Sequence, residues 1–132
     1  IATAVRLEAE GAQLLHISFA TRAPEHPSGR DRRFDPILHL AAAVRPSLSI
    51  PVIGVGGLVD PADAEAALEK GMADLVATGR AILADPEWAA KVAGGRSEEI
   101  NLCIRCPRCF WYTTPEKCPV RIKHGNGLQS LA

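Results

Sequence analysis

Cysteine is absent from the first 102 residues of the chain, and no segment has the pattern of a secretory signal. Disulfide frameworks usually spread their cysteines along a small secreted chain, so this absence favours a reduced, cytoplasmic setting. The cysteines instead lie together in one short stretch, as Cys103, Cys106, Cys109 and Cys118. Such crowding is typical of a metal or iron–sulfur site, with disulfides as the alternative.

Net charge and long apolar runs are also missing. The 15 Lys and Arg residues balance 15 Asp and Glu residues among 132, so the formal net charge is zero. Binding to nucleic acid normally needs an excess of basic residues, and we therefore expect no nucleic-acid partner. A membrane helix needs about 18 or more consecutive apolar residues, which the chain lacks, so we expect no membrane partner either.

Helical and strand patterns alternate along most of the chain. Short apolar runs at 13–19, 50–55 and 74–78 predict strands, the first two buried on both faces. Helical patterns cover residues 2–11 and the stretch from Phe34 to a stop at Pro46. Further helices are predicted to start at Asp60-Pro61 and Asp85-Pro86. This order is typical of an α/β fold with parallel strands. Beyond Gly94-Gly95 the chain becomes cysteine-rich, which predicts one domain over residues 1–95 and a tail over 96–132.

Glycines follow the second and third predicted strands. Gly56-Gly57 ends one strand, and Gly79 ends the next, directly before Arg80. Glycine lets backbone N–H groups approach a ligand closely, and arginine binds phosphate oxygens in pairs. In α/β folds ligands bind at the carboxyl ends of the strands, where both turns fall. The pattern favours a phosphate site over plain tight turns.

Residues 50–57 and 73–86 carry a family resemblance. The sequences IPVIGVGG and ADLVATGRAILADP resemble the Old Yellow Enzyme family of FMN-dependent oxidoreductases, in the branch of 2,4-dienoyl-CoA reductase and trimethylamine dehydrogenase. The likeness extends over about residues 2–118. It implies the C-terminal portion of a TIM (β/α)8 barrel, with the three predicted strands as its sixth, seventh and eighth, followed by a Cys-rich tail. It also implies that the FMN phosphate is held by Gly56, Gly57, Gly79 and Arg80.

The cysteine spacing Cys103-x2-Cys106-x2-Cys109-x8-Cys118 suits four thiolate ligands. Spacing alone does not separate zinc from an iron–sulfur cluster. The resembled branch holds a [4Fe–4S] cluster just after its barrel, which favours the cluster over zinc. This chain departs from that branch in its shorter gap before Cys118 and in Val120-Arg121-Ile122, where the branch has Val-Asn-Pro.

Parts of the family's chemistry are not found in the chain. The resemblance implies hydride transfer from NAD(P)H to FMN and then to an activated alkene or related small molecule, with an acid that protonates the product. In the family these catalytic groups come from the first five strands, and the single tyrosine here, Tyr112, lies in the tail. The catalytic residues therefore stay unknown, and the chain starts at Ile1. We expect the C-terminal part of a longer enzyme, inactive alone and needing the N-terminal part of its barrel.

Two other functions compete with this interpretation. A metal-stabilised, non-enzymatic binding module with a zinc knuckle would explain the cysteines and the basic residues near them, but not the glycine turns. Another TIM-barrel enzyme could use the same turns for a phosphorylated substrate. Exposed edges of a partial sheet also predict association, with a homo-oligomer as one form.

Overall fold

The computed structural model describes residues 1–19, 29–106, 109 and 113–124. In chain order its helices and strands are α1 (Ala2–Ala9), β1 (Leu15–Ile17), α2 (Pro36–Val44), β2 (Val52–Val55), α3 (Pro61–Glu69), β3 (Leu75–Ala77), α4 (Arg80–Ala84), α5 (Trp88–Ala93) and α6 (Pro119–Lys123). Turns of 3₁₀ helix lie at Arg45–Ser47, Ser97–Glu99 and Pro115–Lys117. Within the described ranges, every helix is too short or too polar to cross a bilayer.

The chain forms two compact units. The first comprises Ile1–Leu58 and Ala62–Ala77, and the second comprises Val59–Pro61 and the described residues from Thr78 onward. The strands belong to the first unit, and helices α4, α5 and α6 belong to the second. The two units are defined by which residues pack together, whereas the predicted boundary near residue 95 is based on a change of composition. That boundary stays a prediction.

The first unit is built on a parallel sheet in the order β1-β2-β3. Leu15 pairs with Val52 and Ile53 pairs with Leu75, so each strand runs beside the next one in the chain. The predicted α/β class and parallel pairing are confirmed. The predicted burial of β1 on both faces is wrong. Successive side chains of a strand point to opposite faces, and His16 is exposed on one face, whereas Leu15 and Ile17 are partly buried on the other.

Helix α2 covers the central strand. Asp35 caps its start by accepting a hydrogen bond of 2.9 Å from the Ile37 N–H, and Pro36 occupies its first turn. Leu38 and Ala41 of this helix are fully buried. A Cβ on Gly54 would lie 2.6 Å from Leu38 Cδ1, so the helix packs directly on the backbone of β2. The helix ends at Val44 and continues as the 3₁₀ turn that contains Pro46, close to its predicted stop.

The first helices of the second unit differ from those predicted. Residues 80–84 form α4, which the sequence analysis did not predict, and Asp85 follows this helix as its C-cap. The predicted helix start at Asp85-Pro86 is therefore wrong, because α5 begins at Trp88. Trp88 is buried, and its Nε1–H donates to the Val59 carbonyl at 3.1 Å.

Candidate functional site

The turn after β2 has the backbone conformation that glycine permits. Gly56 has a φ of 143° and Gly57 a φ of 61°, both in the region that residues other than glycine rarely adopt. A Cβ on Gly56 would lie 2.8 Å from Asp35 Cβ, so Asp35 lines one side of the turn. The turn thus presents backbone on one side and a carboxylate on the other. A phosphate at this turn must lie away from Asp35, since like charges repel.

The turn after β3 is different. Gly79 has a φ of −103°, and a Cβ built on it would meet no atom within 4 Å. Arg80 is exposed at the first position of α4, and its guanidinium makes no hydrogen bond or ion pair with the described part of the chain. Gly79 is therefore not required by local backbone geometry. The open space and the uncommitted guanidinium leave this turn accessible to an anion. Gly56 and Gly57 belong to the first unit, whereas Gly79 and Arg80 belong to the second.

All four cysteines line one pocket in the second unit. The pocket encloses about 370 Å³, including space open to solvent. Its lining is mostly sulfur and aliphatic carbon, with Arg80 as the charged residue, and consists of Arg80, Leu83, Cys103, Ile104, Cys106, Cys109, Cys118, Pro119 and Val120. The structure therefore brings together the residues predicted as metal ligands. It also brings Arg80, predicted as a phosphate ligand, to the same pocket.

The thiols are available as ligands. All four are free, with Cys118 buried against Ala84 and Val120 and the other three partly exposed. The Arg105 N–H donates to Cys103 Sγ at 3.4 Å, and Arg105 itself has a positive φ of 52°. Amide donors of this kind stabilise thiolates and tune iron–sulfur clusters. In the described residues no three His, Cys, Asp or Glu side chains have the geometry of a closed metal site.

The chemistry of this donor set fits a thiolate-bound metal. Four sulfurs around one largely apolar pocket match the soft ligands that zinc and iron–sulfur clusters prefer. The sulfurs lie around the pocket rather than in contact with one centre. A metal would therefore draw them together on binding, as coupled folding and metal binding requires.

A buried ion pair beside this pocket was missed by the sequence analysis. Asp85 is fully buried, and its Oδ2 accepts a hydrogen bond of 2.7 Å from Lys91 Nζ. Its oxygens also accept from the N–H groups of Asn101 at 2.9 Å and Glu87 at 3.1 Å. Burial opposes ionisation, but the hydrogen bonds from Lys91, Asn101 and Glu87 outweigh it and hold the pKa of Asp85 below its ordinary value. Asp85 is therefore ionised at neutral pH.

A weak signal for this pair is present in the sequence. Lys91 lies three residues after Trp88, which places a cation on the apolar face of α5. A charged residue on such a face needs a partner, but the sequence does not name it. Residues 20–28 and Tyr112 lie outside the described residues.

The family is shown by sequence comparison. Residues 5–99 match the model of the NADH:flavin oxidoreductase / NADH oxidase family. An NADH oxidase of Thermoanaerobacter brockii is 38% identical over 102 residues, covering 76% of this chain and 16% of that protein. An NADH:fumarate oxidoreductase of Klebsiella pneumoniae is 42% identical over 102 residues, covering 75% of this chain and 10% of that protein.

A third relative gives the same result. A bilirubin reductase of Mediterraneibacter gnavus is 31% identical over 104 residues, covering 76% of this chain and 16% of that protein. The chain thus spans between a tenth and about a sixth of the length of these relatives. The matched family, which covers more than half of the chain, confirms the predicted resemblance. The chain belongs to the NADH:flavin oxidoreductase / NADH oxidase family.

Proposed function

We propose that this chain supplies strands six to eight of the barrel of an FMN-dependent oxidoreductase, which uses NAD(P)H to reduce an activated alkene or a related small molecule. Family membership supports the flavin and the nicotinamide. The three parallel strands joined by helices suit a portion of a barrel. Among the relatives, one is named for fumarate, which is itself an activated alkene. Flavin, when bound, supplies the hydride-transfer chemistry.

In this proposal Gly79 and Arg80, at the turn after β3, bind the phosphate of FMN. The observation that carries this step is Arg80, an exposed guanidinium with no hydrogen-bonding partner in the described residues, directly after Gly79. Guanidinium groups bind phosphate oxygens by paired, charge-assisted hydrogen bonds. Gly56 and Gly57 have positive φ values and carry no side chain that could cover their own backbone. The role of this chain is therefore binding and orientation of the flavin.

The cysteine pocket is proposed to hold a [4Fe–4S] cluster, with Zn²⁺ as the alternative. The shared pocket and the hydrogen bond from Arg105 N–H to Cys103 Sγ support this assignment. In the proposal the proton donor and the groups that grip the substrate come from outside this chain. The chain by itself would then bind cofactors without turnover.

The test is cofactor analysis of the full-length protein purified without oxygen. We expect FMN together with iron and acid-labile sulfide; one zinc per chain, with neither iron nor acid-labile sulfide, would contradict the cluster. In the Arg80→Ala variant, loss of charged hydrogen bonds should lower FMN affinity about tenfold or more. Arg96→Ala is the matched control, because Arg96 pairs with Glu99 at 3.0 Å on the surface. Equal FMN affinity in both variants would contradict the phosphate assignment.

A further inference from the structure

The Asp85–Lys91 pair binds the backbone that leads to the first cysteine. Asp85 accepts the Asn101 N–H at 2.9 Å, and Lys91 Nζ donates to the Glu99 carbonyl at 3.1 Å. Both side chains are almost fully removed from solvent, with exposures of 0% for Asp85 and 9% for Lys91. The pair therefore holds residues 99–101 at two backbone positions, just before Cys103.

Stability alone does not account for a buried ion pair at this place. Removing two charges from water costs free energy that their attraction only partly returns, and well-packed apolar residues often serve a fold equally well. Apolar side chains could not form the bonds to Asn101 and Glu99, however. What distinguishes this pair is its control over the path of one segment of backbone.

The same turn of chain contacts the last cysteine. Ala84, the residue before Asp85, is fully buried against Cys118 and Val120, and Leu83 and Cys103 pack against this cluster. Residues 100–106 form neither helix nor strand, so no regular backbone pattern fixes Cys103. The position of Cys103 relative to Cys118 therefore depends on how the chain after α4 holds residues 99–101.

We propose that Asp85 and Lys91 are positioning residues for the cysteine site: they hold the segment before Cys103 against the end of α4, which limits the movement that Cys103 makes when a metal draws the four sulfurs together. This inference rests on the proposed thiolate site. Groups that orient the ligands of a metal without touching it commonly change metal affinity by about tenfold to a hundredfold. Ligands held in place beforehand lose less conformational freedom on binding.

Two variants of the full chain remove, in different ways, the contacts between the Asp85–Lys91 pair and residues 99–101. Asn101→Pro removes the N–H that Asp85 accepts, together with the Asn101 side chain, and leaves Asp85 and Lys91 in place. Ile100, with φ −74° and ψ 129°, already has the conformation that a following proline requires. Asp85→Leu combined with Lys91→Met replaces the pair by apolar side chains. The matched control is Asp74→Leu with Arg45→Met, which removes an ion pair from the first unit that also accepts a backbone N–H.

The readout is the affinity of the reduced, metal-free chain for Co²⁺ alone, followed by cobalt–thiolate absorption, with urea unfolding of the metal-free proteins alongside. We expect both test variants to bind Co²⁺ about tenfold more weakly or worse, and the control to bind it like the wild type. Wild-type affinity in both test variants would overturn the positioning role alone. Failure of the wild type to bind Co²⁺ would overturn the thiolate site as well.

Discussion

Asp35 occupies the space that a side chain on Gly56 would need. Its Cβ lies 2.8 Å from the position of a Cβ on Gly56, closer than real side chains approach. Asp35 cannot easily move away, because its carboxylate caps α2 through the Ile37 N–H at 2.9 Å. The helix in turn packs on β2 at Gly54, where the glycine leaves room for Leu38. The glycine turn after β2 is thus tied to the start of α2.

Gly56→Ala should therefore destabilise the protein strongly. The φ of 143° is strained for alanine, and the clash with Asp35 adds to the loss, so we expect the free energy of unfolding to fall by about 3 kcal/mol. Gly79→Ala is the matched variant, since Gly79 has a negative φ and open space around it. Its effect should stay within about 1 kcal/mol. Urea unfolding compares the two, and equal losses would contradict this account.

Asp74 links three parts of the first unit and should make stability depend on pH. It accepts Arg45 Nη2 at 2.7 Å and the Val52 N–H at 2.9 Å. The hydrogen bond from Arg45 and then that from Val52 hold the pKa of Asp74 below its ordinary value of 3.8. Ionised Asp74 thus stabilises the fold above the unfolded-state pKa, and this contribution is lost as the pH falls through the lower, folded-state pKa.

Asp74→Asn tests this dependence. At pH 7 we expect a loss of about 1 kcal/mol in the free energy of unfolding, a modest value because both partners of the ion pair are partly exposed. As the pH falls below about 4, the wild type should lose this advantage and approach the variant. Urea unfolding at several pH values measures the difference. A gap that stays constant down to pH 2 would contradict the role of the carboxylate.

The sequence predicted the order of helices and strands as far as β3, but neither α4 nor the contacts around Asp85. Hydrophobic periodicity and glycine positions depend on local sequence, so strands β2 and β3 were located to within one or two residues. Asp85-Pro86 has the pattern of a helix start, and that local pattern was misleading. The burial of Asp85 depends on Lys91 and Asn101, which meet it only in the folded chain. Likewise, Leu75 is apolar but exposed, because the covering of a strand face depends on packing in the folded chain and not on the strand's own sequence.

Trp88→Phe should weaken the second unit. Trp88 is 7% exposed, and its Nε1–H donates to the Val59 carbonyl at 3.1 Å. Phenylalanine keeps most of the apolar contact but leaves that carbonyl without its donor, which costs about 1–3 kcal/mol when the group is buried. Urea unfolding followed by circular dichroism measures the loss. A change below about 0.5 kcal/mol would mean that water replaces the indole donor.

Cys118→Ala should separate metal binding from packing. Cys118 is the buried cysteine of the pocket and packs beside Ala84 and Val120. Alanine removes a proposed ligand but leaves a small apolar side chain, so the metal-free protein should lose only about 1 kcal/mol of stability. Metal bound per chain should fall about tenfold or more, because three thiolates hold a four-ligand centre weakly. His124→Ala, at an exposed position that follows α6, is the control and should keep its metal. Metal content equal to the wild type in the Cys118→Ala variant would remove Cys118 from the ligand set.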